Sequence, residues 1–374
     1  MRLTLIFLFL FFRISSAQNL RIDSLLQTIS SCQRTYSDSF YTSGLFPSKR
    51  VYLKQKNYKR DDDNIFFTGL IVWTLRSQRD KLNEKNKIVL DSICAKASYN
   101  FPLYRNKYGD CTYNFWQPKP GRHFPNDRFF SKRKKHALPD DLDDTAVIYL
   151  ADNQPDSLKK KLKDKMALHA NGNGRWIHNT FRKYKHRRAY NTWFGRRMRV
   201  DFDLSVHCNA MRWILDNNLE LNQYDHETIN LIQDMVLAGE HIENAHYVSP
   251  HYQLPSIVLY HLSKLVSAHP AIFPLIKNQI INDLQNQLKV TVNPMEKLLM
   301  QTSLARFGIF QKAEILSQKD FDGFYYFVAN MTSVTPNPIK GWFAKSKVTN
   351  FYYRCEGFYW CLLLENECLN LNDK

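Results

Sequence analysis

The 374 residues, 44% hydrophobic and 14% aromatic, hold too much apolar material for a disordered polymer and enough chain to enclose a large core. Seven cysteines without a CxxC pair exclude a small disulfide-stapled scaffold and a structural zinc site. The formal net charge of +17 suits either an anionic partner or a strongly solvated surface, and the export signal described next excludes nucleic acid as that partner.

The chain starts Met1-Arg2, runs through an apolar stretch from Leu3 to Phe12 and reaches small residues at Ser15 and Ala17. That is the pattern of a secretory signal peptide, residues 1–17, with cleavage expected after Ala17 and an uncleaved anchor as the alternative. The stretch is too short to span a bilayer comfortably, so residues 18–374 are expected as one soluble, exported domain, periplasmic or secreted.

Residues 20–29 place Leu20, Ile22, Leu25, Leu26 and Ile29 near one face of a helix, and 65–75 is apolar enough for a largely buried helix. Helical patterns continue over 88–99, 144–150, 158–168, 204–215, 227–237, 257–266, 272–288, 295–307 and 359–364. Between them, 102–139 and 171–202 are irregular and rich in aromatic and basic residues. They are too long for simple connectors, and long loops of this kind line sites. Strand alternation is scarce, with Asp322-Gly323 beside Phe324-Tyr325-Tyr326 as a place for one short hairpin. The predicted class is all-α, a single domain of roughly ten to twelve antiparallel-paired helices, for which an α/α toroid is the natural closure. Helix count alone does not separate a toroid from an open bundle. Most cysteines are expected as buried apolar residues, with bridges open among Cys355, Cys361 and Cys368.

The densest chemistry lies at Asp140-Asp141-Leu142-Asp143-Asp144, four carboxylates in five positions running straight into the apolar turn Ala146-Val147-Ile148-Tyr149-Leu150. Asp140 or Asp141 can cap a helix starting near Leu142. The helix dipole favours ionised Asp143 and Asp144, whereas burial beside like charges favours the protonated acid. A cap needs one carboxylate, so the other three point to acid chemistry or metal binding.

Asp141-Leu142-Asp143-Asp144-Thr145-Ala146 resembles the DxDDTA motif of class II terpene cyclases, the squalene-hopene and copalyl diphosphate cyclase group. The resemblance implies a toroid of helices and a reaction started by protonating an alkene or epoxide. Asp143 would be the acid, with Asp141 and Asp144 holding its proton in place. Downstream, Asp203-Leu204-Ser205-Val206-His207-Cys208-Asn209-Ala210-Met211 resembles the Asn-Ala helix of the diterpene-type members and would set Asn209 near the cavity. His207 and Asn209, two apart, do not share a helix face. The resemblance spans about 138–215 and implies no obligatory cofactor.

Other readings stay open. Asp140, Asp141 and Asp144 also spell DDxxD, a magnesium-binding pattern for a diphosphate, although Asn282-Asp283-Leu284 lacks the remainder of a second such motif. The loop with Arg182, Lys183, Lys185, Arg187, Arg188, Arg196, Arg197 and Arg199 among Phe181, Tyr184, Tyr190, Trp193 and Phe194 suits lipid phosphate, an anionic membrane surface or an acidic polysaccharide. Phe129-Phe130-Ser131-Lys132-Arg133-Lys134-Lys135-His136 adds a second basic block. Trp342, Phe343, Phe351, Tyr352, Tyr353, Phe358, Tyr359 and Trp360 are expected mainly as core. Nucleophilic catalysis lacks its motifs: there is no GxSxG and no HExxH.

The sequence therefore points to proton-initiated cyclisation or isomerisation of an apolar or amphiphilic isoprenoid. Asp143, Asp141, Asp144 and Asn209 are the catalytic candidates, and Trp193, Phe194, Arg196, Arg197 and Trp213 the substrate-binding ones. The alternatives are an exported α/α-toroid glycan hydrolase or lyase and a non-catalytic binder of anionic envelope components.

Overall fold

The periodic stretches become helices whose starts are set by polar caps. The computed structural model describes residues 20–55, 57–122, 137–195, 198–311, 313–314, 316–330, 348 and 350–372. In chain order its elements are α1 over residues 20–32, β1 (Ser48–Val51), β2 (Lys59–Asp62), α2 (Phe66–Gln78), α3 (Glu84–Ser98), α4 (Phe101–Tyr104) and α5 (Leu142–Ala151). Next come α6 (Asp156–His169), α7 (Leu204–Asp216), α8 (Gln223–Leu237), α9 (Glu240–Glu243), α10 (Ala245–Val248) and α11 (Pro255–Ala268). The last are α12 (Lys277–Val290), α13 (Pro294–Arg306), β3 (Phe327–Asn330), β4 (Asn350–Arg354) and α14 (Glu356–Leu369).

Each helix expected from periodicity is present. Asn83, Asp141, Asp203, Asn222 and Asn293 cap α3, α5, α7, α8 and α13 with side-chain oxygens. Asn222 and Asp225 form a reciprocal capping box, which starts α8 four residues before the expected position 227. Pro274 has the opposite effect on α12, which begins at Lys277 and not at 272, because a proline biases the preceding residue away from helical backbone.

The all-α expectation is corrected by a small antiparallel sheet in the order β2-β1-β4-β3. Lys49 pairs with Asp61 on one side and Arg354 on the other, and Phe327 pairs with Tyr353. The expected hairpin at Asp322-Gly323 is instead a turn leading from a 3-10 turn (Gln318–Phe321) into β3, which pairs with β4 from much later in the chain.

Helix packing follows a closed succession. α2 packs on α5, α5 on α7, α7 on α11, α11 on α13, α13 on α14 and α14 on α2 again. α2, α5, α11 and α14 are buried on nearly every side, as core helices must be, whereas α3, α6 and α12 bury one face only. Gly69 permits the α2–α5 contact, since a Cβ there would stand 2.9 Å from Val147 Cγ1. One hydrophobic core runs through these helices and the sheet.

Phe351, Tyr353, Phe358 and Tyr359 belong to that core, with Tyr352 and Trp360 partly buried, while Trp342 and Phe343 lie outside the described residues. Cys355, Cys361 and Cys368 are buried free thiols, so no bridge joins them. The expected signal peptide at 1–17 also lies outside the described residues. Among the described residues no helix is long and apolar enough to cross a membrane.

Candidate active site

The acidic segment enters α5 clamped between the two irregular stretches. Leu142 N–H donates to Thr192 O at 2.8 Å, Phe194 N–H to Asp140 O at 3.1 Å, and Asp141 N–H to Tyr113 O at 3.4 Å. Gly195 lets this loop lie against Pro139, whose Cβ would be 2.6 Å from any added methyl. The aspartates then divide the work. Asp140 accepts from Asn106, from Thr112 Oγ1 at 2.6 Å and from Asn114 Nδ2 at 3.3 Å, which commits it to the 106–114 loop. Asp141 is the N-cap, accepting the Asp144 N–H at 2.8 Å.

Asp143 faces a different set of partners. Its Oδ1 accepts from Asn209 Nδ2 at 2.9 Å and its Oδ2 accepts from the Tyr252 hydroxyl. It is 6% exposed, and no guanidinium bonds it among the described residues. Burial raises its pKa to about 7, reinforced by the charges of Asp141 and Asp203 and opposed by the Tyr252 and Asn209 hydrogen bonds. Each oxygen keeps a second lone pair, so the carboxyl can carry a proton without losing either hydrogen bond. Asp141 therefore acts on Asp143 through charge, and Tyr252 and Asn209 occupy the bracketing role that the motif would give to Asp141 and Asp144.

Behind Asp143 runs a buried relay. Asn209 Oδ1 lies 2.9 Å from His261 Nδ1, and His261 Nε2 lies 2.9 Å from the Tyr326 hydroxyl. Because Asn209 uses its amide N–H on Asp143, its oxygen must accept; His261 Nδ1 carries the hydrogen and Tyr326 donates to Nε2. His261 is held neutral by burial first, then by the cations of Lys264 and Arg306. Those cations are balanced by Glu365, which accepts from Arg306 and from the Tyr260 hydroxyl, each at 2.6 Å. The Lys264 ammonium also sits 3.9 Å from the Trp73 ring centre.

Asp203 aligns the parts. Its Oδ1 accepts from Ser205 N–H at 2.9 Å and Ser249 Oγ at 2.6 Å, and its Oδ2 accepts from His251 N–H at 2.9 Å. One carboxylate thus starts the helix that carries Asn209 and anchors the loop that carries His251 and Tyr252.

Asp141, Asp143, Asp144 and Thr192, together with the rings of Phe66, Phe115, Trp193, His251 and Phe327, line a narrow pocket whose free cavity is ≈ 20 Å³, about the room of one water. The buried carboxyl of Asp144 lies within hydrogen-bond reach of the Asp141 side chain. Burial and then the charge of Asp141 push its pKa well up, so this carboxyl keeps its proton opposite Asp141.

Comparison with protein-family models, with curated proteins and with solved structures finds no match.

Of the residues singled out from sequence, Asp141, Asp143, Asp144 and Trp193 line the pocket, and Asn209 touches Asp143 from behind. Phe194 turns away, as successive side chains of extended backbone do, and packs edge-on to His169 at 5.6 Å. Trp213 is fully buried against Tyr149 at 5.3 Å and is core. Arg196 and Arg197 lie outside the described residues, as does the basic block at 132–136. Other cations of that loop are committed internally: Arg187 to Asp234, Lys183 to Glu240 at 2.6 Å, and Arg188 to Asn173 at 2.8 Å. The DDxxD reading does not converge, because Asp140 faces the loop, and no group of three metal-ligating side chains forms among the described residues.

Sequence reading missed Tyr252, His251, His261, Tyr326, Phe327, Phe66 and Phe115. The available signal was slight: Ser249-Pro250-His251-Tyr252 puts two proton-handling side chains on a short turn ahead of Pro255.

Proposed function

We propose that this chain is an exported enzyme of the class II terpene cyclase kind, built on an α/α toroid. It starts an isoprenoid isomerisation or cyclisation by proton transfer from Asp143. The carrying observation is a buried carboxyl with a pKa of about 7, set in the wall of an aromatic pocket and hydrogen-bonded at both oxygens.

Protonating an alkene needs an acid that keeps its proton at neutral pH yet releases it into a carbon–hydrogen bond. Burial supplies the first property. The second comes from Tyr252 and Asn209, fixed donors aimed at the charge that develops on the carboxylate. The faces of Phe66, Phe115 and Phe327 suit the carbocation formed next to them. As it stands the pocket has room for about one water, so a prenyl chain enters only as the aromatic rings that line it move apart. The closed succession of six helices supports the toroid.

The test is incubation of the purified protein with geraniol, farnesol and their diphosphates in deuterated water. Wild type is expected to yield an isomer carrying deuterium at the protonated carbon. Asp143→Asn should lower its formation by about 100-fold or more. Undiminished turnover by that variant removes the acid from the mechanism.

A further inference from the structure

The rings of the pocket fall into two groups. Phe66 and Phe115 are buried, as Asp143 is, whereas Trp193, His251 and Phe327 are partly exposed and form the mouth. Two of the mouth rings are fixed. Phe327 sits on β3 with the rings of Phe66, Phe115, Tyr252 and Tyr353 at 5.5–5.8 Å, and it stacks on His251 at 5.6 Å. Val328 holds His251 in turn: its N–H donates to the His251 carbonyl at 2.9 Å, and its own carbonyl lies 3.3 Å from His251 Nδ1. Trp193 is held differently. Its backbone is clamped, with Asn191 Nδ2 donating to its carbonyl at 2.6 Å, Thr192 O accepting from Leu142 N–H and Phe194 N–H donating to Asp140 O. Its indole meets His251 edge-on at 5.8 Å. The Asp201 carboxyl lies within hydrogen-bond reach of that indole, whose N–H is the one donor a tryptophan side chain has. Asp201 is itself fixed by its backbone: its N–H donates to Asn191 Oδ1 at 2.9 Å, and its carbonyl accepts from Thr192 N–H at 3.0 Å.

We propose that the Trp193 indole is the gate of this pocket and Asp201 the latch that holds it shut, so that Trp193 sets how large an isoprenoid reaches Asp143. This rests on the reading of the pocket as an isoprenoid site. Closed, the pocket has room for about one water, so even one prenyl unit needs a ring to leave. Moving Phe327 would break its packing and the pairing of β3 with β4, and moving His251 would break its bonds to Val328. Turning the indole about its own torsions breaks one hydrogen bond and leaves the main chain in place. The indole is already partly exposed, so it has solvent to swing into. Opening also spares the acid, because the clamped backbone on either side of Trp193 is what holds the start of α5.

Fluorine NMR of protein labelled with 5-fluorotryptophan, with Trp193 assigned by Trp193→Phe, tests the gate apart from turnover. Farnesol should move the Trp193 resonance toward that of a solvent-exposed indole while the resonance of buried Trp213 stays in place. In Asp201→Ala the Trp193 resonance should lie nearer the exposed position before any ligand is added. Trp193→Ala should bind farnesol about tenfold faster, since association no longer waits on a ring, and should raise kcat/KM for farnesol relative to geraniol. A Trp193 resonance unmoved by bound farnesol, or an association rate unchanged in Trp193→Ala, overturns the gate and leaves the acid standing. A resonance unmoved by Asp201→Ala overturns the latch. Farnesol that binds and shifts Trp193 without yielding deuterated product overturns the acid and leaves the gate standing, and a wild type that does not bind farnesol overturns both.

Discussion

Tyr252 donates its hydroxyl hydrogen to Oδ2 of Asp143 across 109 positions of chain. The contact joins the turn before α11 to the first turn of α5, and it exists because Asp203 ties that turn to the start of α7. Its chemical effect is to stabilise the carboxylate that Asp143 becomes. Tyr252→Phe should therefore weaken the acid: its pKa rises further, and turnover falls by about 100-fold, the usual loss on removing one fixed donor to a developing anion. The pH–rate profile checks this, because a purely structural role would lower the rate without moving the alkaline limb upward.

His261 reaches Asp143 only through Asn209 and is a positioning residue. In His261→Leu the Asn209 amide loses the partner that orients it, and the hydrogen bond to Asp143 becomes one of several alternatives. The expected result is a drop in kcat of about tenfold with KM little changed, and a shift of the alkaline limb in the same direction as for Tyr252→Phe. Asn209→Ala should produce at least as large a change, because it removes the donor itself.

Asp143 also makes stability depend on pH. Its folded pKa of about 7 lies above the unfolded value of 3.8. The folded state therefore binds the extra proton between those values, and stability falls as pH rises through that window. Above about 7 the full penalty applies. Asp143→Asn, which resembles the protonated acid, should be more stable than wild type at pH 8 by on the order of 4 kcal/mol and flatter between pH 4 and 7. Urea melts at several pH values measure the difference.

Glu365 is the only carboxylate ion-paired with Arg306 and Lys264 among the described residues. Glu365→Gln leaves two buried cations without an anion. A loss of about 3–5 kcal/mol is expected, because removing one member of a buried pair strands the other. The same variant should weaken Asn209 positioning, since the helix that carries Lys264 also carries His261.

The helices were legible because their causes are local: an apolar run, a capping side chain, a proline. The sheet was not. β1 reads SKRV and β2 reads KRDD, three polar residues of four and four of four, and Lys49 becomes strand by pairing with Arg354 at the other end of the chain. The candidate site divides along the same line. Asp143 and Asn209 stand in recognisable local motifs. Asn209 does meet a histidine, but it is His261, 52 positions away on α11, and not His207, two positions before it. Tyr252, His251 and Phe327 come from a turn and a strand whose positions follow from Asp203 and Val328, long-range contacts that leave no periodicity in the chain. Phe194 and Trp213 show the reverse, aromatic residues in a suggestive stretch that packing turns into core.

The most direct measurement is the carbon NMR titration of the Asp143 carboxyl in aspartate-labelled protein, assigned with Asp143→Asn. A midpoint near pH 7 is the predicted result. A carboxyl that titrates in the ordinary range near 3.8 would be ionised under working conditions, and Asp143 could not be the proton donor.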